Sequence, residues 1–155
     1  LENRLMRLSS FSDYSLRVLM YLGVHAGRLA TIAEIAASYG ISENHLMKVV
    51  HQLGRLSYIE TVRGKGGGMR LAKPPADIRL GEVIRQTEID CALVECFGTA
   101  STCQIQAACR LPSILDEALA AMFMVLDSYT LADLLHSPGP LTQVMHARPV
   151  ARPAA

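Results

Sequence analysis

Apolar residues in the first half of the chain recur at helical spacing in three short blocks and then change to the alternation of strands. Ser12 is placed to cap a first helix, with Tyr14, Leu16, Val18, Leu19, Leu22 and Val24 along a broad face and Gly27 at its end. Thr31 caps a second, which runs through Ile32, Ile35 and Ala36 to Tyr39. It stops at Gly40, because glycine tolerates the left-handed conformation of a tight turn. Ser42 caps a third, with Leu46, Val49, Val50 and Leu53 on one face and Gly54 as its close. Two short helices joined by a glycine turn predict a helix-turn-helix, and the small Ala36 leaves room for them to cross. Residues 58–62 and 69–71 then read as paired strands across the basic, glycine-rich link Arg63-Gly64-Lys65-Gly66-Gly67-Gly68, the wing of a winged helix.

Pro74 and Pro75 close that unit, and Ile78-Arg79-Leu80 leads into a short helix containing Val83 and Ile84. Pro112 is suited to open a long helix, since a proline at the first helical position loses no needed hydrogen bond. Its stripe of Ile114, Leu115, Ala118, Leu119, Met122, Val125 and Leu126 is widened by Ala121, Phe123 and Met124 beyond a single face. A helix apolar on most sides needs partners on most sides, and in so small a chain the second partner is expected to be the same helix of another subunit. The expected fold is mainly α with a small β-hairpin: a winged helix-turn-helix over residues 6–77, a loop and dimerisation helix over 78–136, and a loose Pro/Ala/Arg-rich tail over 137–155.

Composition narrows this picture. Half of the 155 residues are hydrophobic, enough for one real core. The longest apolar run, Ala118 to Leu126, falls well short of the ~18–20 residues needed to cross a bilayer. No export signal is read at the start, so a reducing cytoplasm is the expected compartment. The net charge of +1 conceals an asymmetry. Between Ser42 and Lys73 stand six Lys and Arg residues against Glu43 and Glu60, whereas residues 111–136 carry Asp116, Glu117, Asp127 and Asp133 with no Lys or Arg. The basic part suits a polyanion.

Double-stranded DNA is the polyanion this geometry fits. Early exposed residues of a recognition helix meet base edges, here Ser42, Glu43, Asn44, His45 and Lys48, with Thr31 at the start of the preceding helix. Arg63 and Lys65 approach phosphates, and Gly66 and Gly67 let the backbone come close and offer N–H groups. The bland alternative is a solvated helix followed by a flexible hairpin. The glycine run lacks phosphate-loop spacing and lies between strands, which argues against a nucleotide site.

Four cysteines fall within the stretch 91–109 as Cys91-x4-Cys96-x6-Cys103-x5-Cys109. The close C-x2–4-C pairs of structural zinc are absent. Wider, uneven intervals in a Gly/Ala/Ser/Thr loop can wrap a polynuclear iron–sulfur centre held by thiolates. Free buried thiols and a regulatory disulfide remain open on spacing alone. A cysteine nucleophile needs a base or a helix N-terminus to lower its pKa, and no convincing His or Asp partner stands beside any cysteine, so an enzyme is not expected.

The stretches "LSSFSDYSLRVLMYL", "ISENHLMKVVHQL", "VRGKGGGMRLAKPPADIRLGEVIR", "CQIQAACRL" and "LDSYTLADLL" occur in this order, and through them the chain resembles the iron–sulfur winged-helix repressors of bacteria from Met6 to Leu135. The likeness is greatest to the members that sense nitric oxide. It implies a homodimer on a palindromic operator that releases DNA when nitric oxide damages the cluster. It also implies cluster ligands Cys96, Cys103 and Cys109, with Asp13 as a fourth from the other subunit, and a 4Fe-4S cluster in preference to 2Fe-2S. The chain has six residues between the first two of these cysteines where the family has four or five. Cys91 is the alternative fourth ligand. Asp13 has a simpler role as well, complementing the helix dipole and pairing with Arg17 one turn on, and the two roles can alternate as a switch. Family members that report iron–sulfur supply use a histidine near the third cysteine, and none lies there in this chain. A 2Fe-2S redox or iron–sulfur-status regulator and a cluster-free thiol-switch repressor are the competing functions.

Overall fold

The computed structural model describes residues 7–94, 97, 101–136 and 138–146. Helices α1 (Ser10–Val24), α2 (Ile32–Tyr39) and α3 (Glu43–Arg55) are followed by the antiparallel strands β1 (Ile59–Val62) and β2 (Gly68–Leu71). A 3-10 turn at Pro75–Asp77 leads to α4 (Leu80–Thr87), and after the cysteine loop come α5 (Leu111–Asp127), α6 (Leu131–Leu134) and α7 (Pro138–His146). Ile59 pairs with Leu71 and Val62 with Gly68. Ala30 bridges to Met69 and ties the α1–α2 connection to the base of the wing.

One hydrophobic core runs through both halves. Val18 and Leu19 of α1, Ile35 of α2, Leu46 and Leu53 of α3, and Tyr58 and Met69 of the hairpin share it with Ile78, Val83, Leu131 and Met145. The packing therefore crosses the boundary expected at residue 77.

Three details differ from the sequence expectation. Ser9, not Ser12, caps α1, accepting from the Ser12 amide, and the helix ends at Val24 with Gly27 (φ 99°) in the turn beyond. Ser12 is fully buried, and its hydroxyl lies 2.8 Å from that of Thr87 at the end of α4. Thr87 donates to the Val83 carbonyl, so Ser12 donates to Thr87. Second, α3 passes through Gly54, and the left-handed residue after it is Ser57 (φ 59°). Third, residues 138–146, expected as loose tail, form α7. Proline is tolerated in a first turn, and Leu141 and Met145, one turn apart, pack on the core.

The segment around α4 is clasped to the end of α5. Arg85 donates twice to the Asp127 carboxylate (2.8 and 2.5 Å) and lies over the Phe123 ring, 4.4 Å from its centre. The Leu80 amide bonds to Tyr129 O, and that of Leu131 to Ile78 O. Gly81 is needed for this approach, because a Cβ there would lie 2.1 Å from Asp127 Oδ1.

A hydroxyl left unpaired in a dry joint costs about 1–3 kcal/mol. Thr87→Val is therefore expected to lower unfolding stability by roughly that amount, and adding Ser12→Ala to restore part of it. Urea unfolding of both variants checks this: a double variant no more stable than Thr87→Val would contradict the assigned joint.

Candidate nucleic-acid interface and cysteine loop

Helix α2 begins with a reciprocal cap. The Thr31 hydroxyl accepts from the Glu34 amide, and the Glu34 carboxylate accepts from the Thr31 amide at 2.7 Å. The Thr31 hydroxyl, expected at DNA, is thus occupied by its own helix, though the residue is exposed. Burial pushes the Glu34 carboxyl up, but the Thr31 amide, the Arg28 guanidinium 2.9 Å away and the Thr31 hydroxyl together hold it below the ordinary range. Gly40 takes the left-handed turn at φ 67°.

Ser42 caps α3 through the His45 amide. Glu43, Asn44, His45 and Lys48 are exposed on the side opposite Leu46, Val49 and Leu53, as the amphipathic pattern requires. His45 also meets the Tyr14 ring of α1 edge-on, with centres 5.9 Å apart. The exposed polar face of α3 runs one turn beyond the residues expected at DNA. Asn44 and Lys48 share an open hollow with His51, Gln52, Arg55, Met47 and Phe11, so the polar stripe continues down α3. Its signal was the spacing of 44, 48, 51 and 55, which keeps one helical face.

In the wing, Arg63 and Lys65 are exposed. Gly64 (φ 98°) and Gly66 (φ 75°) turn the chain. The Gly67 N–H, expected to be offered to phosphate, is donated to Gly64 O at 3.0 Å. A Cβ on Gly67 would lie 2.2 Å from Val62 O, and one on Gly68 2.6 Å from Ala30 O, so these glycines serve close backbone packing.

Asp13 stands in the first turn of α1, beside a hollow lined by Arg7, Leu8 and Ser10. It is bound to Arg17 by a two-pronged ion pair, 2.9 Å to Nη2 and 3.1 Å to Nε. The Ser9 amide, a turn earlier, donates to Glu88 at the neck of the cysteine loop (2.7 Å).

Cys96 lies outside the described residues. Cys103 is exposed and Cys109 half-buried, and with Cys91 they are free thiols. Cys103 and Cys109 flank a run of turns over residues 104–108. Among the described residues no three metal-ligating side chains converge, so Asp13 is not gathered with both Cys103 and Cys109 of its own chain. Cys91 instead lines an apolar hollow with Ile84, Leu119, Met122 and Phe123. Burial first, then the Glu88 and Asp90 carboxylates, push its thiol up against the opposing pull of Arg85, which disfavours the thiolate that binds metal. The donor set of free thiols on a loop tied at both ends, with one carboxylate on α1, fits iron.

A helix-turn-helix with an attached basic wing defines a DNA-binding regulator. The chain belongs to the Rrf2 family, whose model, "Iron-dependent Transcriptional regulator", matches residues 8–137. It is 52% identical over 132 residues to the HTH-type transcriptional regulator NsrR of Bacillus subtilis, covering 84% of this chain and 90% of that protein. To NsrR of Geobacillus kaustophilus it is 48% identical over 145 residues, covering 92% and 99%. Among solved structures, T. potens IscR aligns with a TM-score of 0.70 at 27% identity, over 88% of this chain and 90% of that one. CymR, the global cysteine regulator of B. subtilis, aligns with a TM-score of 0.60 at 27% identity, over 84% and 96%. The protein is a transcriptional regulator and not an enzyme. No helix of the described residues is long and apolar enough to cross a membrane.

Lys65→Ala is expected to weaken binding to operator and random DNA alike and to reduce the slope of log K against log salt by about 0.9. Asn44→Ala or His45→Ala should change which base pair is preferred, at about 1–3 kcal/mol per lost contact. Anisotropy titrations at several salt concentrations separate the two, and equal effects of both kinds on both DNAs would refute the division.

Proposed function

We propose that this protein is a homodimeric repressor that acts on DNA in the cytoplasm, holds a palindromic operator while an iron–sulfur cluster is bound, and releases it in response to nitric oxide. Asp13 carries the reading: a carboxylate at the half-exposed start of α1, held among the described residues by an ion pair that solvent can open. Cys96, Cys103 and Cys109 would hold the cluster, of 4Fe-4S type in preference to 2Fe-2S, and Asp13 would reach it from the partner subunit. When bound, the cluster supplies an iron that reacts with a diatomic ligand, most readily where its protein donor is a labile carboxylate. The position of Cys91 in a largely apolar hollow under α5 argues against an all-cysteine set.

The chain's own residues do the rest. With its carboxylate given to the cluster, Arg17 has no ion-pair partner in the first turn of α1; once Asp13 is free, the pair closes as observed. Because α1 packs on α3, that exchange reaches the recognition helices, which two-fold symmetry sets about 34–36 Å apart, one turn of DNA. A second subunit is supported by α5, where Ile114, Met124 and Val125 are 54%, 70% and 58% exposed and only Phe123 is buried.

Anaerobically purified protein is expected to be brown, with about four irons and four sulfides per subunit, and nitric oxide should bleach it as operator is released. Asp13→Ala should leave three thiolates, a more labile cluster and an altered nitric oxide response. A colourless protein that binds operator equally well would overturn the reading in favour of a cluster-free thiol switch.

A further inference from the structure

Arg17 does not only face Asp13. Its guanidinium lies over the Tyr39 ring, 5.7 Å from the centre, and its backbone carbonyl accepts the Tyr39 hydroxyl at 3.0 Å. Tyr39 is the last residue of α2, directly before the Gly40 turn that leads through Ser42 into the recognition helix. Burial pushes its phenol up to about 12, so the hydroxyl remains a donor at neutral pH. The ring meets Tyr21 edge-on at 6.3 Å, which fixes its plane against α1. One turn earlier on α1, Tyr14 touches His45 at the start of α3. The face of α1 beginning at Asp13 therefore grips the helix-turn-helix on both sides of its turn.

We infer that Tyr39 is the positioning residue through which Arg17, gaining or losing Asp13, resets the helix-turn-helix for DNA. The inference rests on the reading above that Asp13 exchanges Arg17 for the cluster. A guanidinium neutralised by a carboxylate draws weakly on an aromatic face, and one that has lost its carboxylate draws on it more strongly. Freed Arg17 pulls the end of α2 toward α1, and the recognition helix follows across Gly40–Ser42. With the Arg17 side chain 42% exposed, the effect belongs at the modest end of such interactions, about two- to fivefold in affinity.

The test is a double-mutant cycle on cluster-free protein, stripped by chelator, with operator affinity read by anisotropy and folding by thermal melts. Asp13→Asn frees Arg17 with no cluster involved. It is expected to raise operator affinity of the cluster-free protein about two- to fivefold, and in a Tyr39→Leu background to have no effect. Where Tyr39→Leu fails to fold, Arg17→Gln serves as the second background, with the same loss expected. A Tyr39 that is only structural would lower the melting midpoint and shift affinity equally with and without D13N, leaving the D13N effect intact. That outcome, or no D13N effect in the otherwise wild-type protein, overturns the inference. Because every protein in the cycle is cluster-free, failure to find iron and sulfide defeats the proposed function without touching this result, and an absent coupling defeats the relay alone.

Discussion

The buried hydroxyl pair of Ser12 and Thr87 is the constraint on which the arrangement depends. It joins residues 75 positions apart in a buried place, and the Ser9 amide on Glu88 reinforces it at the edge. Two small hydroxyls satisfy each other only within a few tenths of an ångström, so the joint fixes the start of α1 against the end of α4. Ser9 and Ser12, the neighbours of Asp13 at the start of α1, are thereby held at the neck of the cysteine loop, and the rest of α1 lies along the core beside α2 and α3. In the proposed function, the site of chemistry and the DNA-reading unit thus meet on one rigid helix.

What the sequence revealed follows from how local each determinant is. Thr31, Gly40 and Ser42 act within a few residues of themselves, and their caps and turn are found where read. The Asp13–Arg17 pair was legible for the same reason, at one helical turn. Ser12 was misread because Ser9, Ser10 and Ser12 all offer a capping hydroxyl, and the partner that claims Ser12 is remote in the chain. Tyr39 on Arg17, 22 residues away, carries no local signal at all. The helix at 138–146 was hidden by its prolines, although Leu141 and Met145 hold helical spacing.

The cysteine loop shows a different limit. Its residue types and spacing allow an iron–sulfur centre, because soft thiolates select their metals, and leave free thiols and a disulfide open. Its geometry is not visible in the sequence, because the donors come from separate segments and, in the proposed function, from two chains. Helix α5 bears the same mark: its apolar residues are unmistakable in the sequence, yet a single subunit buries only Phe123 among them. In the proposed dimer both features are completed by the second subunit.

The clasp between α4 and α5 has a consequence for the life of the regulator. Arg85 on Asp127, the Leu80 and Leu131 main-chain bonds and the fit of Gly81 hold the base of the cysteine loop from outside it, with no contribution from the thiols. Opening the loop therefore need not loosen the core, and its ends stay at a fixed span, which keeps the entropy of re-closing small. In the proposed function, a subunit stripped of its cluster would be a folded vessel ready to be refilled, and such a sensor would be reset by repair without new synthesis.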